Sequence, residues 1–404
     1  MKRSLRNRYC WPVAVTAGVV FAFALSGCAT VPFAPAELGA AAFGDRALTQ
    51  EQDGLRVSAA VLGPDETQDL LGIDLYAQGI QPVWISVENR GDVPVRLALW
   101  SIDDQYFAPL EVAWANRKAF KKEDRAGMER WFYENAMPRR VPGRESRSGL
   151  VFTNPTPGTK GFNADLYDGT RSTTFTFFAP LPGFVADYMN VDFEHLYSPD
   201  DVRRLEPDDL SQALEQLPCC STDANGSDDG EPLNVALIGT GLAVRRALLR
   251  AGWNETETSS STVSSGTPYY SGRGPDGTFV QSHPDGGRRE LRLWLAPILI
   301  GNDLVWLGQA RHIFGGNGPA AGAVVDPDLD DARTFVAQSL WYGQSLAAAG
   351  LVGGVPSAAV DAPRRTFAGS SYFTDGLRVV LHVSEAPVAS DETALIGQAT
   401  VLAE

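Results

Sequence analysis

Leu55-Arg56-Val57-Ser58-Ala59-Ala60-Val61 and Val83-Trp84-Ile85-Ser86-Val87-Glu88 each carry apolar side chains at every second position. Successive side chains of an extended chain point to opposite faces, so a period of two predicts half-buried β-strands. Asn89-Arg90-Gly91-Asp92 follows the second run, and Val95, Leu97 and Leu99 then resume the alternation. A turn-forming quartet between two such runs predicts an antiparallel hairpin. Leu150 to Thr153, Phe162 to Leu166 and Thr173 to Phe178 continue the series. So many short strands predict an all-β, immunoglobulin-like sandwich over residues 54–197.

One stretch breaks the alternation. Between Ala113 and Ala136, Trp114, Phe120, Met128, Trp131 and Phe132 are interleaved with Lys118, Lys121, Lys122, Glu123, Asp124, Arg125 and Glu129. That mixture predicts an amphipathic helix inserted into the sandwich. Its apolar stripe can cover one end of the sandwich, while a basic, aromatic helix on an acidic protein also suits a docking partner or a membrane surface. The covering role is the simpler reading. His195, set between carboxylates in Asp192-Phe193-Glu194-His195, reads as a surface residue.

The amino terminus has the layout of an export signal. Lys2, Arg3, Arg6 and Arg8 precede an apolar run from Trp11 to Leu25, with no acidic residue before Cys28. The run is shorter than the roughly 20 apolar residues a spanning helix needs. Leu25-Ser26-Gly27-Cys28 resembles the lipobox of bacterial lipoproteins. The resemblance implies that residues 1–27 are a signal peptide and that Cys28 carries a diacylglyceryl group as a thioether. At about 0.8 kcal/mol per buried methylene, two or three acyl chains make a durable anchor. Ala29 rather than Asp after the cysteine points by the same resemblance to the outer membrane. Residues 28–53, rich in Ala and Pro over their first half, read as a flexible tether.

The formal net charge is −15; without residues 1–27 it becomes −19, with 30 basic against 49 acidic side chains. Phosphate backbones repel such a chain, which excludes nucleic acid as a partner and makes an anionic lipid surface a poor one. With Cys10 in the signal and Cys28 lipidated, Cys219 and Cys220 remain, side by side. In an oxidising envelope they can form a vicinal disulfide, stay as buried thiols, or pair with other molecules. A redox role has less in its favour, because no C-x-x-C spacing or basic neighbour lowers a thiol pKa.

Residues 198–231 read as an acidic linker with a short helix through Leu205, Leu210, Leu214 and Leu217 before Pro218. Asp223 to Asp229 offers oxygen donors at close spacing, yet lacks an EF-hand register and reads as a solvated loop. Asn234-Val-Ala-Leu-Ile-Gly239-Thr-Gly241 then passes from a strand through a glycine turn into a helix closed by Gly252. Gly239-x-Gly241 suggests a dinucleotide loop, but Val244 stands where a third glycine belongs, so no cofactor is expected. Strands are predicted at Arg288 to Leu299 and Leu304 to Ala310 around Gly301-Asn302-Asp303. A helix from Ala332 to about Ala349 and a strand from Leu377 to Val383 follow. Strand, helix, two strands, helix, strand predicts an α+β sandwich over residues 232–404, with a ferredoxin-like order as one option. Two domains are therefore expected.

Several motifs in this half resemble, in order, the LssY C-terminal domain of bacterial envelope proteins. They are Pro232 to Gly239, Ala251-Gly252-Trp253, Gly272-Arg273, Phe279-Val-Gln281, Arg289-Glu-Leu-Arg292-Leu-Trp294, Val305 to Ala310 and Val325 to Asp330. The resemblance covers residues 232–382, under half of the chain, and implies no activity. Its pattern has histidine where Glu290 stands here, which puts a metal or catalytic role at that position in doubt.

His283 and His312 with Asp326, Asp328 and Asp330 form the one cluster with metal-ligand chemistry. The three carboxylates equally suit the N-terminus of the following helix, and capping is the simpler reading. The sequence thus points to a lipid-anchored envelope protein, held to a membrane through Cys28, that binds or scaffolds an envelope protein or glycan without catalysis. The alternative is a metal- or carboxylate-dependent envelope hydrolase acting through His312, Asp326, Asp328 and Asp330.

Overall fold

The computed structural model describes residues 32–38, 45–256, 266–282, 287–315 and 324–396. The signal peptide, the lipobox, Cys28 and His283 lie outside the described residues. The architecture is mostly β-sheet with helices packed on the sheet faces. Among the described residues, no helix is long and apolar enough to cross a membrane.

The N-terminal half contains β1 (Leu48–Gln52), β2 (Leu55–Val61), β3 (Gln81–Asn89), β4 (Val95–Ala98), β5 (Arg140–Val141), β6 (Glu145–Thr153), β7 (Thr159–Tyr167) and β8 (Ser172–Pro180). β1, β2, β3 and β6 form one antiparallel sheet, while β5, β4, β7 and β8 pair in that order in a second. The two sheets close on Val57, Ala59, Val83, Ile85, Leu97, Phe162, Phe175 and Phe177. The alternating residues read from the sequence are thus the shared core. The expected hairpin at residues 89–92 does not form. β3 already has β2 on one edge and β6 on the other, so β4 crosses to the second sheet and pairs with β5 and β7.

The other face of the first sheet is apolar too, through Ala60, Trp84, Leu150 and Phe152. It is covered by α1 (Pro64–Leu71), α2 (Pro109–Asn116) and α3 (Arg125–Glu134). The single helix expected over 113–136 is therefore two, separated at residues 117–124. Phe120, Met128 and Phe132 are fully buried against the sheet, so the stripe covers a face of the sandwich rather than an end. Residues 32–38 belong to this layer and are no free tether. Phe33 packs edge-on against Phe120 at 5.0 Å, its backbone N donates to Asp124 Oδ2 at 3.2 Å, and Ala36 N donates to Leu70 O. An exposed phenylalanine would lose that burial, which is why the chain folds back here.

The C-terminal half adds β9 (Arg203–Leu205), β10 (Cys220–Thr222), β11 (Asp229–Pro232), β12 (Val235–Ile238), β13 (Asn254–Thr256), β14 (Gly277–Ser282), β15 (Arg288–Ile300) and β16 (Asp303–Phe314). β17 (Val324–Val325), β18 (Leu346–Val352), β19 (Arg364–Arg365), β20 (Ser371–Tyr372), β21 (Arg378–Val383) and β22 (Ala394–Ile396) complete it. The mixed sheet runs β22-β18-β21-β12-β16-β15-β14-β13 and continues into β7, where Glu255 faces Thr159. β12 sits centrally, antiparallel to β16 and parallel to β21. Buried on both faces, it is apolar at every position, unlike the alternating strands of the first half.

α5 (Gly241–Arg250) and α6 (Leu329–Tyr342) cover one face of this sheet. α4 (Leu210–Glu215) covers the other, with Leu210 and Leu214 against Trp294, Ile298 and Leu307. Residues 198–231 are consequently part of the fold and not a linker: their leucines complete the second core, and β9 pairs with β15. The helix expected to reach Ala349 ends at Tyr342. Gln344 adopts φ +53, and Leu346–Val352 leaves as β18 to pair with β21.

Candidate functional site

Between α5 and the β14–β15–β16 surface lies a cavity of about 230 Å³. Leu242, Val244, Phe279, Leu293 and Trp306 give it apolar walls, and Phe193 and Tyr188 from the connection between the halves close one side. Phe193 meets Trp306 edge to face at 5.8 Å. The glycine turn read from the sequence shapes the same place. Gly239 has φ +152, and a Cβ there would come within 2.7 Å of Val383. Thr240 caps α5 by accepting from Ala243 N at 3.1 Å, and Trp306 Nε1 donates to Gly239 O at 3.1 Å. The turn thus serves strand-to-helix packing and leaves Gly241 lining the cavity.

The polar end is built from Arg245, Glu255, Tyr188 and Asp276. The Arg245 guanidinium lies over the Phe178 ring at 4.1 Å and the Tyr188 ring at 4.4 Å, and its Nη2 donates to Glu255 Oε2 at 3.0 Å. Burial raises the Tyr188 phenol above its ordinary range, with Arg245 opposing the shift. Asp276 is held in a bidentate pair with Arg273 and accepts from Leu295 N at 2.6 Å, so it is committed to the framework. Arg245 Nε and Glu255 Oε1 are buried with no hydrogen-bond partner among the described residues. Leaving such groups unmet costs about 1–3 kcal/mol each, so a ligand offering both an acceptor and a donor would be favoured here.

Among the described residues, those singled out from the sequence do not form one ligand set. His312 is nearly buried with Nδ1 3.8 Å from Asp326 Oδ2, which is an ion-pair distance and not a ligand shell. Asp328 accepts from Asp330 N and Asp331 N, both at 3.1 Å, and caps α6. Asp330 turns to Thr374 Oγ1 at 2.6 Å and Asp375 N at 2.7 Å. Capping by Asp328, a turn closed by Asp326 and a loop held by Asp330 therefore account for the carboxylate run. Asp328→Ala is expected to lower stability by about 0.5–2 kcal/mol, as loss of an N-cap does; a thermal unfolding curve matching wild type would contradict the capping role.

Cys219 and Cys220 are joined as a vicinal disulfide at the start of β10. Their sulfurs and an Asp229 carboxylate oxygen lie within 4.8 Å of one another. A cation there would need both sulfurs as thiolates, so the bridge and metal ligation exclude each other. Asp223 Oδ1 accepts from Ser227 N and Asp228 N, which folds the acidic loop on itself. His195 is exposed, with Nδ1 2.8 Å from Asp192.

A second polar cluster, unread in the sequence, lies on the sheet face opposite α5. Glu290 is fully buried and its Oε1 meets Arg292 at 2.8 Å and Arg311 at 2.7 Å. Gln309 donates to Glu231 Oε2 at 2.8 Å, and Glu231 lies 3.7 Å from Arg311. The neighbouring crevice is too small for a ligand of any size, so the cluster is a structural ion network. No protein-family model matches the chain, and no curated protein matches it.

Proposed function

We propose that the chain is a lipid-anchored cell-envelope protein that binds rather than transforms its ligand, with the α5 cavity as the binding site. The observation that carries this reading is an apolar cavity ending in a half-buried Arg245 paired with buried Glu255, with Arg245 Nε and Glu255 Oε1 unmet among the described residues. Apolar walls with a few convergent polar groups are the usual constitution of a small-molecule site. At about 230 Å³ the cavity is smaller than the roughly 300–1,000 Å³ of drug-sized pockets, which suits one ring or a short acyl segment bearing a polar head. Attachment through Cys28 rests on the lipobox resemblance and the export-signal layout, and the outer membrane as its destination rests on Ala29 after the cysteine. The partner class is a protein or glycan component of the envelope, or a small molecule that such a component presents.

The finer fold assignments belong to the same proposal. Two facing antiparallel sheets support an immunoglobulin-like first domain. In the second, β12, α5, β15, β16, α6 and β18 follow a ferredoxin-like order, with β21 inserted between β18 and β12. The LssY-like reading of residues 232–382 rests on the sequence motifs alone. A hydrolase would require Asp328 and Asp330 to leave their caps, which the geometry disfavours.

The test titrates the protein with octanoate, a short acyl chain bearing an anionic head, by isothermal calorimetry. Wild type is expected to bind one octanoate per chain. Leu242→Trp, at an exposed position on the cavity wall, is expected to weaken binding about tenfold, or 1.4 kcal/mol. Equal binding by both proteins would refute the cavity as the site.

A further inference from the structure

The helical layer over the first sheet has an outer side that its packing role leaves unused. Leu110 and Trp114, one turn apart on α2, are 49% and 57% exposed. The Arg117 guanidinium lies 4.5 Å over the Trp114 ring. Residues 117–125 carry Arg117, Lys118, Lys121, Lys122 and Arg125 against Glu123 and Asp124. Asp124 is engaged by Phe33 N, and the three lysines are exposed. A locally basic, aromatic patch thus interrupts a chain whose overall charge is strongly negative.

The chain's path ties this patch to the anchor. Phe33 is pinned onto Phe120 and Trp131 in the same layer. Cys28 precedes Phe33 by five positions, and five residues reach at most about 18 Å even when fully extended. Resting on the lipid-anchor reading above, we infer that the α2–α3 layer is the bilayer-facing surface of the anchored protein. Trp114 and Leu110 enter the headgroup–acyl boundary, where tryptophan is favoured. Lys118, Lys121 and Lys122 meet lipid phosphates, a short-range attraction that works only within about a Debye length of the surface. The acidic remainder of the body is turned away from an anionic surface by the same electrostatics.

The experiment places full-length lipidated protein in phosphatidylcholine–phosphatidylglycerol vesicles, with and without bromine on the acyl chains, and records tryptophan fluorescence. The difference between wild type and Trp114→Phe isolates the Trp114 emission, and Trp341→Phe, altered on α6, serves as control. Bromolipid is expected to quench the Trp114 contribution at least about twofold, as for a side chain at the interfacial depth, and to leave the Trp341 contribution unchanged. A Lys118→Glu, Lys121→Glu, Lys122→Glu variant with unaltered circular dichroism is expected to lose most of that quenching. If the protein floats with the vesicles while Trp114 stays unquenched, the orientation is wrong and the anchor stands. If Cys28 carries no lipid mass and the protein does not float, the anchor reading fails and the orientation falls with it. Equal quenching in the lysine variant overturns the assigned contact with lipid phosphates.

Discussion

Glu290→Ala is expected to destabilise the protein by about 3–5 kcal/mol, the range for removing one member of a buried ion network. Burial alone would raise the Glu290 carboxyl, but Arg292 and Arg311 outweigh it and hold the group below the usual carboxylate range. Without it, two arginines remain in a region that water does not reach. Burial already pushes Arg292 down to about 10, while on Arg311 the carboxylates of Glu290 and Glu231 outweigh burial and raise it. Because the folded pKa of Glu290 is depressed, its contribution is present above the unfolded value near 4.5 and is lost as pH falls toward the folded one. Urea unfolding at neutral and acidic pH measures both effects. Replacing Glu290, Arg292 and Arg311 together by leucine and methionine is expected to be far milder than Glu290→Ala, since well-packed apolar substitutes often match a buried ion network. A Glu290→Ala loss below about 1 kcal/mol would show that the cluster is hydrated in solution.

Lys160 gives the second large effect, with the same pH sense but in an alkaline window. Its ammonium is buried at the start of β7, donating to Asn154 O at 2.8 Å and Thr156 Oγ1 at 3.2 Å, with Asp103 at 3.8 Å. Burial pushes its pKa from 10.5 down to about 8, and Asp103 only partly opposes this. Between those values the unfolded chain binds more protons than the folded one, so stability is expected to rise with pH from about 8 to 10.5. The gain from this one group is on the order of 3 kcal/mol at 1.36 kcal/mol per pKa unit. Lys160→Met is expected to flatten that rise in denaturant midpoints collected across the same window. An unchanged slope in the variant would assign the titration to other groups.

The strands of the sandwich were legible where only one face is inward, which writes a period of two into β7 and β8 and into the uncovered ends of β2 and β3. Pairing was not legible, since alternation says which face is buried and nothing about which edge is free. That is why residues 89–92 read as a hairpin while β4 joined the other sheet. The run from Ala332 to about Ala349 read as one helix because Ala347, Ala348 and Ala349 are good helix formers, yet Gln344 turns the chain and tertiary pairing makes β18 a strand. The leucines of residues 205–217 were seen but assigned to a linker, because nothing local says that they complete a core with Trp294 and Leu307.

The cavity was not legible. Gly239-Thr240-Gly241 read as a strand-to-helix turn, as it is, but nothing in it announced the cavity beside it. Its walls gather Tyr188, Phe193, Arg245, Glu255 and Trp306 from distant parts of the chain, which no spacing rule connects. The Glu290 network had one sequence signal, Arg288, Glu290 and Arg292 falling on one strand face. That pattern resembles a solvated edge until Glu231 and the residues near Phe367 are seen to cover it.

The central position of β12 carries a consequence for biogenesis. Val235 pairs with Val379, so the middle of the sheet stays open until nearly all of the polypeptide has emerged. Contacts this remote in the chain slow folding, because a long loop must close before they reward it. A chain made amino terminus first would hold its first sandwich finished and its second sheet waiting, with one edge of β12 on β16 and the other bare until β21 follows. That interval is when proteases and chaperones would act on it.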